Sequence, residues 1–272
     1  MVSVITSSAA FTAVHSLRSI DERFVSSSKR IESGYRVADS LDDASIFSVA
    51  QTVRAEVKTA ASVQSSLAQG QNTVQVALSG LRQIYDLTNE IRANVILLAD
   101  GATAESARAA IKSNTQEMLR QIESARNISS YNGSSLLADG AQSRSFIADS
   151  AGNTITVSAF DGQTEVDALT TAVNNITDAD SALATLDAVT DLQSKVNQTT
   201  ADIASTGKAI SEKNVFIGAL VDALKKSLGA LVDTDITEAA AVRQSAILQR
   251  GLSIESLAFT TESNRRVVDL LR

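Results

Sequence analysis

Residues that could move protons, attack a carbon or hold a cation are few in this chain. It has one histidine, His15, and no cysteine. A Ser-His-Asp arrangement would depend on that single imidazole, and no supporting carboxylate lies at a suitable place beside it. A His-Glu-x-x-His zinc motif needs two histidines and is excluded. Disulfides and thiolate metal sites are excluded with the cysteines, which leaves the redox compartment open. Asp42-Asp43 places two carboxylates side by side, but aspartates that cap a helix account for the pair without a metal. No glycine-rich phosphate loop is present. Asn132-Gly133-Ser134 and Asn175-Ile176-Thr177 have the spacing of glycosylation sequons, and exposed Ser or Thr between 144 and 177 offer further hydroxyls. No catalytic, metal-binding or cofactor-binding residue is expected, and the residues do not read as an enzyme.

Composition narrows the classes further. The chain has 272 residues and no proline, so the commonest helix breaker is missing. Aromatic residues are only 4% and tryptophan is absent, which suits aliphatic seams between long helices better than a core of bulky fillers. A net charge of −7 argues against nucleic acid as a partner, because phosphate binding needs a basic face. No run of 18 apolar residues occurs, so membrane insertion is not expected. The first 20 residues lack a basic stretch and a continuous apolar block, so a cleavable secretory signal is not expected either.

The elements that would carry any function are long helices. Between 189 and 231, every seventh residue is apolar: Val189, Val196, Ile203, Ile210, Ile217, Leu224 and Leu231. A sustained repeat of seven keeps a narrow seam on one side of a slightly underwound helix, and this seam is expected to be a rod core. At about 1.5 Å per residue it makes a rod roughly 60 Å long, which other helices must cover. Ile46, Val49, Val53, Val57, Ala60, Leu67, Val74, Leu78 and Leu81 form a second seam, continued to Leu98. Ala104, Ala107, Ile111, Met118, Ile122, Ala125 and Ile128 form a shorter third. Gly101 is expected to end the second helix and Thr103 to cap the third.

Residues 3–33 read as a helix ended by Gly34, with Asp39, Ser40, Asp42 and Asp43 as competent N-caps beyond it. Tyr131-Asn132-Gly133-Ser134 reads as a turn. Between 144 and 160 the period becomes alternating around Ser150-Ala151-Gly152-Asn153, which predicts one β-hairpin lying on the bundle. Residues 161–177 are polar and Thr-rich and give no clear element. After a break at Asp233-Thr234-Asp235, a last helix over 236–271 carries a broad apolar face. The expected fold is mainly α: a long antiparallel helical bundle or coiled-coil rod with one β-hairpin, plus paired terminal helices. Its expected domains are the terminal helices, 1–42 with 235–272, and a rod domain, 43–234. The width of the terminal apolar faces suggests that other copies of the chain cover them.

Ser28-Lys29-Arg30-Ile31-Glu32-Ser33-Gly34-Tyr35-Arg36, followed by Asp42-Asp43-Ala44, resembles the N-terminal segment of bacterial flagellins. Asn127-Ile128-Ser129-Ser130-Tyr131-Asn132-Gly133 with Leu136-Leu137, the junction Asp233-Thr234-Asp235-Ile236-Thr237-Glu238, and the ending Val267-Val268-Asp269-Leu270-Leu271-Arg272 resemble later motifs of that family, in the same order. The resemblance covers essentially the whole chain. It implies a self-assembling structural subunit of the flagellar filament, exported unfolded, secreted and extracellular, with motility as its purpose. It also implies an inner tube of terminal helices and a shell of rods, without the large outer domains of many relatives.

Val14, Leu17, Phe24, Ile31, Leu252, Leu257, Phe259, Leu270 and Leu271 are the expected polymerisation contacts. Gly34, Asp42, Asp43, Asp233 and Asp235 are the expected inter-domain junction. Implied partners are further copies of the chain, a flagellar cap, hook-junction proteins and an export chaperone. In the last helix Arg250-Gly251-Leu252 and the stretch 259–264 replace the family's usual Gln-Leu-Gly and Ala-Asn-Gln. A hook-filament junction protein is therefore an alternative, as is a secreted coiled-coil translocator or effector.

Overall fold

The computed structural model describes residues 8–269. Along the chain these form α1 (Ser8–Ser33), α2 (Ala44–Ala99), α3 (Glu105–Ile128), β1 (Ser130–Tyr131), β2 (Ser134–Ser135), β3 (Arg144–Ile147), β4 (Thr154–Val157), α4 (Gln163–Asn174), α5 (Ala179–Val232) and α6 (Ile236–Asp269). They divide into two compact units, 1–57 with 223–272, and 58–222.

In the unit 58–222, α2 and α5 run antiparallel. Val74 lies against Gly207 and Gly70 against Ile210, while further along Asn89 accepts from the Gln193 amide at 2.7 Å. The seven-residue seam of α5 faces inward: Val189, Val196, Ile203 and Ile210 are fully buried, as is Ile217 to within a few per cent. They meet Leu67, Val74, Leu81, Ile84, Ile91 and Leu98 of α2 in one continuous core. Leu224 and Leu231, which belong to the other unit, are half-buried. Helix α3 adds Leu119, Ile122 and Ala125 to the core, whereas Ile128, expected on the same line, is exposed at the helix end.

Several local expectations differ from the structure. Ala104, not Thr103, stands at the N-cap of α3 and makes no side-chain cap bond. The Thr103 hydroxyl instead donates to the Leu97 carbonyl at 2.9 Å, so it closes the end of α2. Gly101 does not take a left-handed conformation; the Asp100 carboxylate accepts from the Ala102 amide at 2.9 Å and turns the chain there. Residues 163–174 form a helix whose Val166, Leu169 and Val173 are buried. The fold also has two hairpins rather than one. Asn132 and Gly133, at φ 50° and 73°, form the two-residue turn of a short hairpin pairing Tyr131 with Ser134.

The expected hairpin pairs Arg144 with Val157 through Ile147 with Thr154. It is seated by the Phe146 ring against Gly70 and by the Ile147 amide donating to the Ser66 hydroxyl at 2.9 Å. Arg126, 3% exposed, ties the loops together. Its Nε donates to the Leu137 carbonyl at 2.9 Å, its Nη1 to Gln163, and its guanidinium lies 5.6 Å from the centroid of the Phe160 ring.

Candidate assembly surface and junction

The breaks before α2 and after α5 are bonded to each other. Gly34, at φ 72°, ends α1 by donating its amide to the Arg30 carbonyl at 2.9 Å. Tyr35 then bridges antiparallel to Asp233. The Thr234 amide donates to the Gly34 carbonyl at 3.0 Å and the Arg36 amide to the Val232 carbonyl at 2.7 Å. The Arg36 guanidinium reaches the Leu231 carbonyl at 2.6 Å. Under this staple Val37, Ala50 and Val232 make a small core, with Phe47 and Leu228 packed against it.

The junction aspartates divide the work. Asp43 caps α2 by accepting from the Ile46 amide at 2.9 Å. Asp235 caps α6, accepting from the amides of Thr237 and Glu238 at 2.8 and 3.1 Å. The Asp233 amide closes the end of α5 on the Gly229 carbonyl at 2.8 Å. Asp42 caps no helix: it accepts from the amides of Ala38 and Asp39 at 2.9 and 3.2 Å. Lys29, on the last turns of α1, reaches Asp39 at 2.8 Å and Asp42 at 3.0 Å. That ammonium, above all through its hydrogen bonds, holds both carboxyls below the usual carboxylate range, and they in turn raise the lysine.

Helices α1 and α6 pack antiparallel. Asp21 pairs with Arg250 at 3.1 Å, and Arg243 lies 5.7 Å from the centroid of the Phe24 ring. Ile20, Ser27, Ala239 and Ala246 are buried between them. The expected polymerisation residues separate into two groups. Leu17, Phe24, Ile31 and Leu257 are half-buried within this pair. Val14, Leu252 and Phe259 face outward, 37%, 67% and 82% exposed. Leu270 and Leu271 lie outside the described residues. His15 is exposed on α1.

Lys29, Arg36, Val37 and Arg126 were not among the residues expected at these sites. Lys29 and Arg36 lie within the segment 28–36 that carries the family resemblance, but nothing in their types or spacing marks the contacts they make. Among the described residues no three His, Asp or Glu side chains come together as they would around a metal. None of the described helices is long and apolar enough to cross a membrane.

The model of the bacterial flagellin N-terminal helical region matches residues 4–142. A flagellin of Brucella melitensis is 28% identical over 284 aligned positions, covering 100% of both chains. Flagellin FljM of Caulobacter vibrioides is 28% identical, covering 99% of this chain and 98% of its own. Among solved structures, a Vibrio parahaemolyticus protein assigned to the flagellar hook-associated class superposes with a TM-score of 0.61 at 16% identity. It covers 71% of this chain and 100% of its own, a likeness of fold.

Proposed function

Since the chain belongs to the bacterial flagellin family, we propose that it is a structural subunit of the extracellular flagellar filament, polymerising with its own copies into a helical tube that serves swimming. The observation that carries this reading is the outward face of the terminal helix pair. Phe11, Val25, Leu248, Leu252 and Phe259 are each at least 60% exposed there, more apolar surface than scattered single residues explain. Copies packed side by side would cover it. Full-length coverage by flagellins of similar size supports a filament role for the whole chain.

In this reading residues 1–42 and 235–272 build the inner tube, 43–234 build the surrounding shell, and the stapled junction between 34 and 43 and at 233–235 links the two. Secretion, the cap, hook-junction proteins and an export chaperone follow as partners of that role. Purified protein, seeded with filament fragments, should grow long filaments above a critical concentration, visible by electron microscopy. A protein that stays monomeric or forms only closed small oligomers under seeding would sink the proposal.

A further inference from the structure

We infer that Asn132-Gly133 is a folding-gated site of chain modification: the asparagine turns into isoaspartate in the unfolded chain and is held intact by its hairpin once the chain folds. The two residues form the only Asn-Gly pair in the sequence. Glycine leaves the main-chain nitrogen after the asparagine unshielded, and both residues are exposed to water. The reaction is internal. The Gly133 nitrogen attacks Asn132 Cγ, and the new N–Cγ bond closes a five-membered imide. The Cγ–Nδ2 bond breaks, and ammonia leaves with the proton of the Gly133 amide. Water then opens the imide at one of its two carbonyls. Opening at Cγ gives aspartate. Opening at the main-chain carbonyl carbon, the commoner course, gives isoaspartate, in which the backbone runs through Cβ and Cγ. Water is the only co-reactant, and nothing is oxidised or reduced.

Closure of the imide has a geometric condition. To reach Cγ, the Gly133 nitrogen must eclipse Cβ across the Cα–C bond of Asn132. In the folded chain it stands on the opposite side. Asn132 has φ 50° and Gly133 φ 73°, the pattern of a type I′ turn, in which ψ of the first residue is about +30°. In an L residue that ψ turns the next nitrogen nearly anti to Cβ. The hairpin holds the torsion in place. Tyr131 pairs with Ser134 and Ser130 with Ser135, and the Tyr131 hydroxyl accepts from the Asn72 amide at 3.1 Å. Asn132 therefore cyclises only when the hairpin opens. Among the described residues it is the only non-glycine with a positive φ, so the conformation that favours asparagine in this turn also protects it.

The product matters because of what the hairpin anchors. The Ser135 hydroxyl donates to the Ser129 carbonyl at 2.9 Å and accepts from the amides of Leu137 and Ala138 at 3.1 and 3.0 Å. These bonds seat Leu136 and Leu137 in the core. Isoaspartate lengthens the turn by one main-chain carbon, so Tyr131 and Ser134 lose their register. Aspartate keeps the main chain and suits the same turn. A chain that stays unfolded long enough to form isoaspartate thus loses the means to seat Leu136 and Leu137. None of this depends on polymerisation.

To test the gating, the full-length protein is incubated at mildly alkaline pH and one temperature, folded in buffer and unfolded in guanidinium chloride. Isoaspartate is counted with the methyltransferase that esterifies its free α-carboxyl group, and is located by peptide mass. The unfolded chain should convert Asn132 about tenfold faster than the folded chain, or more. Asn153, exposed in the turn of the other hairpin but followed by Thr154, should lag far behind Asn132 in the unfolded chain. After refolding, chains carrying isoaspartate should melt below the parent, and N132D should melt with the parent. Equal rates in the folded and unfolded states, or Asn153 reacting as fast as Asn132, would overturn the assignment of this site. Isoaspartate chains that melt with the parent, or N132D melting as low as they do, would overturn the part given to the lengthened backbone.

Discussion

Arg126 is almost wholly buried on α3, yet its guanidinium serves a carbonyl, an amide and a ring drawn from three different segments. The planar fork of donors does what a lysine ammonium cannot at these separations. Arg126→Met would keep the side-chain length and leave the Leu137 carbonyl without its donor. Such a loss costs about 1–3 kcal/mol when the group is buried, and Leu137 is fully buried. Thermal melting should show the loss, and Arg126→Lys should recover only part of it. Nothing in the sequence marks this arginine, because its partners lie 11 and 37 residues away.

Lys29 with Asp39 and Asp42 is a second case, and it makes the α1–α2 turn sensitive to acid. Both carboxyls are lowered from an ordinary value of 3.8. Their contribution is therefore complete above that value and is lost as pH falls through the lower value of the folded chain. The lysine, raised from 10.5, holds its contribution below that pH and loses it only above. Both the cluster and the turn are exposed, so the effect is local. Side-chain carbon shifts of Asp39 and Asp42, followed by NMR, should titrate below 3.8. In Lys29→Met they should move up toward it, and unchanged midpoints would contradict the assignment.

At the scale of elements, the seam of α5 was legible because a period of seven survives whatever the seam packs against. Its inner positions need only be apolar, and Ile210 is completely buried. Ile210→Asp would place a carboxylate in that core without a cation. It should cost about 3–5 kcal/mol, seen as lowered helicity and melting temperature of the free subunit.

Close approaches between elements were not legible. Gly80 lies in the middle of α2, where a glycine lowers helix stability by about 1 kcal/mol relative to alanine. Its reason is spatial: a Cβ there would stand 2.3 Å from the Ser129 hydroxyl and 2.6 Å from a Leu137 methyl. Gly80→Ala should therefore destabilise by about 1–3 kcal/mol, the usual range for overpacking, despite the better helix propensity. A variant that melts higher than the parent would show that the turn after α3 yields easily. Helix α4 is hidden in the sequence for a related reason. Thr164, Thr170 and Thr171 lower its propensity, while burial of Val166, Leu169 and Val173 outweighs them. Thr103 is of a type that suits a cap, but its hydroxyl donates to the Leu97 carbonyl instead.

For the molecule as a whole, burial is unevenly shared. The largest fully buried side chains, among them Leu67, Leu81, Ile84, Ile122, Leu169 and Ile203, all lie in the unit 58–222. In the other unit, burial between α1 and α6 falls largely on small residues: Ser27, Ala239 and Ala246 accompany Ile20. Burial contributes about 25 cal/mol per Å² of apolar surface, so two helices meeting through alanine and serine gain little against about 1–2 kcal/mol per residue of backbone entropy. Local opening should then be easiest in α1 and α6 and hardest in the inner turns of α2 and α5. Hydrogen exchange on the free subunit should show amides of α1 and α6 exchanging orders of magnitude faster than those around Ile84 and Ile203. In assembled protein, protection should rise steeply over 11–31 and 239–259 and change little around Ile84. That pattern follows only if the missing burial comes from other copies. Terminal helices as protected in the free subunit as the α5 seam would mean that the pair is self-sufficient, and its exposed apolar stripes would need another explanation.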